Sequence, residues 1–416
     1  MKKTLCMLMA LVMVFTCLAG CGAKETEAPA AEAPAAEAPA AEAPAAEESA
    51  EEGGEIVIAL ITNTTGDYAM YGLPVTNAAN LYIDQLNAAG GINGKQIKVL
   101  HYDDKADGVE AMNAFNLAMD NGITAVLGSV LTGATIALAD ATYEFNMPQV
   151  TASATAAGVT MIDPEDPESE IRTNVFRSCF IDPFQGEKMA DYAFNAVGAK
   201  TAAVLFETGN DYSEGLKAAF VEKAAALGLE IVAEEAFATG DKDFKAQLTN
   251  IAAADPDVVF APIYYGEAGL AVTQARQVGC DAMFMGGDGF GSVVEYASAE
   301  DLAGTVYCSG YAPGTESVAQ FEKDYEATYG EAVPNMFAPL AYDAAMLLCE
   351  GLKAAEEAGL EHGSEEYKQA VIDAIASMDG VEGITGSYSF DEYNNPIKSA
   401  AIIEIKDGAE VFKEMY

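Results

Sequence analysis

Ile56-Val57-Ile58-Ala59-Leu60-Ile61 is an unbroken apolar run that ends in the polar stretch Thr62-Asn63-Thr64-Thr65-Gly66. A strand buried on both faces of a parallel sheet reads this way, whereas a half-exposed strand alternates. A helical pattern follows over Pro74–Ala89, with proline near its start and Gly90-Gly91 beyond its end. The alternation then continues through strand Gln96–Tyr102, helix Gly108–Asp120, strand Thr124–Gly128, helix Gly133–Phe145 and strand Pro148–Thr151. After an irregular stretch at Asp163–Glu170 it resumes with helix Pro183–Val197 and strand Thr201–Phe206. Helices Ser213–Leu227, Phe244–Ala253 and Gly266–Val278 alternate with strands Glu230–Ala236, Val258–Ala261 and Ala282–Gly286. Repeated strand–helix units joined by short loops predict α/β architecture, and two runs separated near residue 180 predict two doubly wound, Rossmann-like lobes. The tail adds helices Ser317–Tyr329, Phe337–Ala358 and Ser364–Met378, then strands Gly386–Phe390 and Ala400–Ile405.

Open α/β sheets bind ligands beyond the carboxyl ends of their strands, so those positions are the candidates. The first half offers Thr62 to Gly72, then Ser129-Val130-Leu131-Thr132, with Thr132 placed to cap a helix, and Ala152-Ser153-Ala154-Thr155. The second half offers Asn210-Asp211-Tyr212, Tyr264-Tyr265 and Gly287-Asp288-Gly289. Hydroxyls near helix starts stabilise a carboxylate. An acid among tyrosines suits an ammonium withdrawn from water. The division fits a zwitterion. Taken singly, Thr132 also reads as a cap, Ser153 and Thr155 as turn formers, the tyrosines as core, and Asp288 as a turn residue.

The 416 residues carry 65 acids against 21 bases, a formal charge of −44, which excludes nucleic acid as a partner. It equally disfavours adsorption to anionic lipid through a basic face. Only His101 and His362 are present, so a multi-histidine metal centre is excluded, and no metal or cofactor is expected. Lys2 and Lys3, the short apolar stretch Leu5 to Leu18, and Leu18-Ala19-Gly20-Cys21 make residues 1–20 resemble a bacterial lipoprotein signal peptide, with lipidation expected at Cys21; the alternative is an ordinary secretory signal or an uncleaved anchor. Two acyl chains hold a protein at a membrane where one does not. Residues 21–55 form a tether in which Ala-Pro-Ala-Ala-Glu repeats, with Pro29, Pro34, Pro39 and Pro44 spaced by five. Proline at that spacing breaks a helix and favours an extended spacer reaching roughly 60 Å. Beyond residue 55 the chain still holds 55 acids against 18 bases, so the head itself is acidic.

From about Glu55 onward the chain resembles the branched-chain amino-acid-binding proteins of ABC transporters, the leucine/isoleucine/valine-binding family with the type I periplasmic binding protein fold. The resemblance is carried by Tyr71-Gly72, the run Ile83-Asp84-Gln85-Leu86-Asn87-Ala88-Ala89-Gly90-Gly91-Ile92-Asn93-Gly94, and Tyr102-Asp103-Asp104. Asp211-Tyr212-Ser213-Glu214-Gly215, Gly240-Asp241-Lys242-Asp243-Phe244, Gln274-Ala275-Arg276 and Phe284-Met285-Gly286 before Asp288 add to it. It implies that Thr132 and Thr155 meet the ligand carboxylate, and that Ser153 and Ala154 contribute backbone contacts. By the same resemblance Asp288 pairs with the ammonium, while Tyr71, Leu131, Tyr212, Tyr264 and Phe337 line the cleft. Three departures stand out: Thr62-Asn63-Thr64 replaces a usual Pro-Leu-Thr, Leu131 is bulky, and Asp288 is a methylene shorter than glutamate in some relatives.

The resemblance also implies an N-terminal lobe of 56–181 plus 311–384, and a C-terminal lobe of 182–310 plus 385–416. Three crossings form a hinge that closes on an amino acid. The expected protein is an extracytoplasmic, membrane-anchored monomer that delivers its ligand to an ABC permease with separate ATPase subunits. It is not an enzyme: no Gly-x-x-x-x-Gly-Lys-Ser/Thr, Gly-x-Ser-x-Gly or His-Glu-x-x-His motif occurs, and Gly287 to Gly291 lacks the full dinucleotide-loop spacing. The alternative is a sensing head for amino acids or small amides that signals instead of feeding a permease. Cys179 and Cys308 fall near two crossings, where either a hinge disulfide or buried free thiols are expected.

Overall fold

The computed structural model describes residues 54–166 and 168–416; the expected signal peptide, Cys21 and the tether up to Gly53 lie outside the described residues. β1 (Ile56–Thr62) is buried along nearly its whole length. It is the second strand of an all-parallel sheet that also contains β2 (Ile97–Asp103), β3 (Val126–Gly128), β4 (Gln149–Thr151) and β5 (Val175–Arg177), in the order β2-β1-β3-β4-β5. The helices of this half are α1 (Ala69–Ala88), α2 (Gly108–Asp120) and α3 (Thr132–Glu144).

The second half repeats the plan. After α4 (Asp182–Asp191) come β6 (Thr201–Thr208), α5 (Asp211–Leu227), β7 (Glu230–Ala238), α6 (Lys245–Ala254), β8 (Val258–Phe260), α7 (Tyr265–Gln277), β9 (Met283–Gly286) and β10 (Val306–Ser309). Their strands run β7-β6-β8-β9-β10, the same order as in the first sheet. In both sheets the order reverses beside the first strand, which opens a crevice past the carboxyl ends of β1/β3 and of β6/β8. This is the doubly wound α/β fold expected from the alternation.

α8 (Ala319–Tyr329), α9 (Phe337–Glu357) and α10 (Glu365–Ala376) return to the first sheet, where α9 lies along α1 and on β3 and β4. β11 (Val381–Gly383) and β12 (Gly386–Tyr388) form a small ladder of their own. β13 (Ala401–Lys406) and β14 (Ala409–Met415) then extend the second sheet as an antiparallel hairpin.

Several expectations need correction. α1 begins at Ala69, five residues before Pro74, because the Met70 carbonyl that Pro74 cannot serve accepts from Asn335 Nδ2 at 2.9 Å. α4 ends at Asp191, and the chain continues to Val197 as a π-helical turn. β5, β10, β11 and β14 were not anticipated. Three of these are only three or four residues long, too short for periodicity to mark, and β14 is a largely exposed strand at the sheet edge. Cys179, Cys280, Cys308 and Cys349 are buried free thiols, so the hinge disulfide is not formed.

Gly72 lets α1 press against the chain leaving β1. A β-carbon there would lie 2.0 Å from the carbonyl oxygen of Asn63, which is fully buried and has no room to yield. Gly72→Ala is therefore expected to destabilise the protein by about 1–3 kcal/mol, seen as a lower urea midpoint with an unchanged slope.

Candidate functional site

The two crevices face one another across a small cavity. The first half contributes Tyr71 from α1, Val130, Leu131 and Thr132 from the β3–α3 junction, and Ser153 after β4. The second contributes Tyr212 from α5, Tyr264 before α7, and Asp288 and Gly289 after β9; Phe337 closes one side from the start of α9.

Thr132 does not cap α3; it is that helix's first residue. The cap position belongs to Leu131, whose extended backbone (φ −79°, ψ 144°) precedes the helix and whose side chain has nothing to accept with. Elsewhere Asp107 caps α2, Asn210 caps α5 and Ser364 caps α10 through side-chain oxygens. The N-terminus of α3 thus meets the cavity without a side-chain cap, leaving its N–H groups and positive dipole end to an outside acceptor.

The opposite wall carries the cavity's one charged side chain. Asp288 is 2% exposed. Gln185 Nε2 donates to its Oδ1 at 3.2 Å, and the Tyr212 hydroxyl also reaches its carboxylate. The same Tyr212 oxygen accepts the Gly289 N–H at 2.8 Å. Residue 289 has to be glycine for that approach, since a β-carbon would lie 2.7 Å from the tyrosine oxygen. Loss of hydration pushes the Asp288 carboxyl up to about 6, although the Tyr212, Gln185 and backbone donors act to lower it. Asp182 nearby is also driven well above the carboxylate range by burial, and the neighbouring Asp288 raises it further.

The remaining walls are aromatic and aliphatic. Tyr212 and Tyr264 stack with centroids 5.0 Å apart, and Tyr71 meets Phe337 edge-on at 4.7 Å. The Tyr71 hydroxyl crosses the cleft, donating to the Gly289 carbonyl at 2.5 Å and accepting the Tyr265 N–H at 3.1 Å. Tyr265 in turn donates to the Asp67 carbonyl at 2.5 Å, a further bond between the halves. Burial holds the Tyr71, Tyr212 and Tyr264 hydroxyls well above their usual range, so they stay protonated.

Eight of the ten candidate positions line this cavity, and Ala154 and Thr155 do not. The Ala154 carbonyl is taken by Arg177 Nη1 at 2.9 Å. The Thr155 carbonyl accepts the Asp182 N–H at 3.0 Å, and its hydroxyl lies beside the Asp182 carboxyl. Val130 and Gly289 line the cavity without having been singled out, although each adjoins a candidate residue in a strand-end segment. Gln185 had no comparable sequence signal, because it reaches Asp288 from 103 residues away.

The periplasmic binding protein family model matches residues 55–410. The chain belongs to that family. It is 30% identical over 339 residues to the Leu/Ile/Val-binding protein BraC3 of Rhizobium johnstonii, covering 81% of this chain and 88% of that protein. A leucine-, isoleucine-, valine-, threonine- and alanine-binding protein of Pseudomonas aeruginosa is 29% identical over 338 residues, covering 81% and 86% of the two chains. Among solved structures, the branched-chain amino-acid transporter substrate-binding protein LivJ of Streptococcus pneumoniae, in complex with isoleucine, superposes with a TM-score of 0.77 at 33% identity. The match covers 87% of this chain and 99% of LivJ. The fold is therefore that of type I periplasmic binding proteins.

Asp288 holds its proton more tightly when folded (about 6) than its ordinary value of 3.8. Its contribution to stability therefore falls as pH rises from about 4 to about 6 and stays lost above that, costing about 3 kcal/mol at neutral pH. Ligand-free Asp288→Asn is expected to melt higher than wild type at pH 7.5, with the difference closing by pH 4. An equal or lower melting temperature at pH 7.5 would contradict this.

Proposed function

We propose that the protein captures a compact aliphatic amino acid, of the leucine, isoleucine or valine class, and passes it to an ABC importer without chemical change. One observation carries the reading: an uncapped helix N-terminus and the buried Asp288 carboxylate face each other across one cavity. The α3 N–H groups and the Thr132 hydroxyl would hold the ligand carboxylate, and Asp288 the ammonium. The ligand's side chain would meet Val130, Leu131, Phe337 and tyrosine rings. The Tyr71 and Tyr212 hydroxyls are already committed to protein partners, so this wall offers little to a polar side chain.

In this reading the lobes are 56–181 with 311–384, and 182–310 with 385–416. The three crossings between them serve as the hinge, and ligand bridging both walls favours the closed state that a permease recognises. The protein acts outside the cytoplasm as a monomer, held at the membrane through lipidated Cys21 and its Ala/Pro/Glu tether. The leucine/isoleucine/valine-binding relatives and the isoleucine complex of LivJ support the ligand class. The Leu-Ala-Gly-Cys motif supports the anchor.

Calorimetry tests the assignment of the two ends. Asp288→Asn is expected to weaken L-leucine binding by about 100-fold or more, since removing one partner of a buried charge pair costs about 2–5 kcal/mol. Thr132→Ala, which keeps the helix N-terminus, is expected to cost about tenfold. Wild-type affinity in Asp288→Asn would reject the ammonium role. Cys21→Ala is expected to move the protein from the membrane fraction to the soluble one, with loss of the diacylglycerol mass from its N-terminal peptide.

A further inference from the structure

Asp288 is held from behind by one side chain. Gln185 lies in the first turn of α4 and is completely buried. Its Nε2 donates to Asp288 Oδ1 at 3.2 Å, while its Oε1 accepts the Asp288 backbone N–H at 2.9 Å. One carboxamide thus grips both the acid's side chain and its main chain. Only one orientation serves, because a flipped amide would set a donor against a donor and an acceptor against an acceptor. Gln185 also stands just past residues 178–181, where the chain leaves the first sheet for the second. The grip therefore ties the acid to the helix that emerges from a crossing.

We infer that Gln185 is a positioning residue for Asp288: its carboxamide fixes one rotamer of the acid and stabilises it as the anion that meets the ligand's ammonium. The inference rests on the proposed amino-acid reading for its functional part. A buried carboxylate needs donors to stay charged, and Gln185 and Tyr212 are the side chains that supply them. The other titratable groups facing Asp288 are Asp182 at the start of α4, Tyr71 on α1, Tyr212 on α5, Tyr264 before α7, and Cys179 and Cys308 near two crossings. Burial raises each of them above its ordinary range, which keeps the tyrosines and thiols neutral at physiological pH. Loss of the Gln185 donor should therefore appear in the titration of Asp288 itself.

Gln185→Met keeps the length and fill of the side chain but deletes both bonds. In the ligand-free full chain labelled with ¹³C-aspartate, the Asp288 carboxyl signal is expected to titrate about one pH unit higher in Gln185→Met than in wild type. Titration with L-isoleucine should then show about tenfold weaker binding at pH 6 and a loss of at most about threefold at pH 9. An unmoved carboxyl midpoint, or an affinity loss equal at both pH values, overturns the proposal, because a merely structural role would give that result. If Gln185→Met fails to fold, Gln185→Leu takes its place. It too removes both bonds without adding a titratable group, and the Asp288 midpoint must again rise. A midpoint that moves in a protein whose wild type does not bind isoleucine would reject the amino-acid reading and leave the Gln185 grip intact.

Discussion

A carboxylate taken out of water must have its lone pairs occupied by donors or it takes up a proton, and Asp288 sits in the dry gap between two lobes under that constraint. Much of the site follows from it. Tyr212 and Gln185 surround the acid, glycine at 289 lets the tyrosine oxygen come close, and the aromatic stack of Tyr212 and Tyr264 keeps water away. The facing wall has no basic side chain, only the open start of α3 and small hydroxyls. An opposed acid and helix N-terminus make a polar axis, and a dipolar metabolite matches it at both ends.

In the proposed reading the same geometry joins recognition to closure. Tyr71 leaves the first lobe and bonds to the carbonyl of Gly289, the residue next to the acid, while Tyr265 reaches back to Asp67. These contacts exist only when the walls are together. In that reading a ligand bridging both walls adds to these contacts and favours the closed form.

The fold was largely legible from residues 56–61 and the alternation after them, because runs buried on both faces admit few architectures. Most of the cavity wall was legible for a related reason: strand ends of doubly wound sheets are where ligands sit, and Thr132, Ser153, Tyr212, Tyr264 and Asp288 all stand there. What escaped was decided by contacts remote in sequence. Asn335 serves the carbonyl that Pro74 leaves free, so α1 starts earlier than proline chemistry alone predicts. Thr155 has the residue type and position of a ligand contact, yet its hydroxyl lies beside Asp182, a neighbour that no local pattern announces. β14 did carry a usable sign, since Asp407-Gly408 with both residues at positive φ makes the tight hairpin before it.

The most direct measurement compares three ligands with the same isobutyl side chain by calorimetry: L-leucine, isoamylamine, which lacks the carboxylate, and 4-methylpentanoate, which lacks the ammonium. A cleft built for both ends binds leucine at least about 100-fold more tightly than either truncated form, because each leaves a desolvated partner unmatched. Equal affinity for leucine and 4-methylpentanoate would show that Asp288 is not the ammonium partner, and the account of the site would fail.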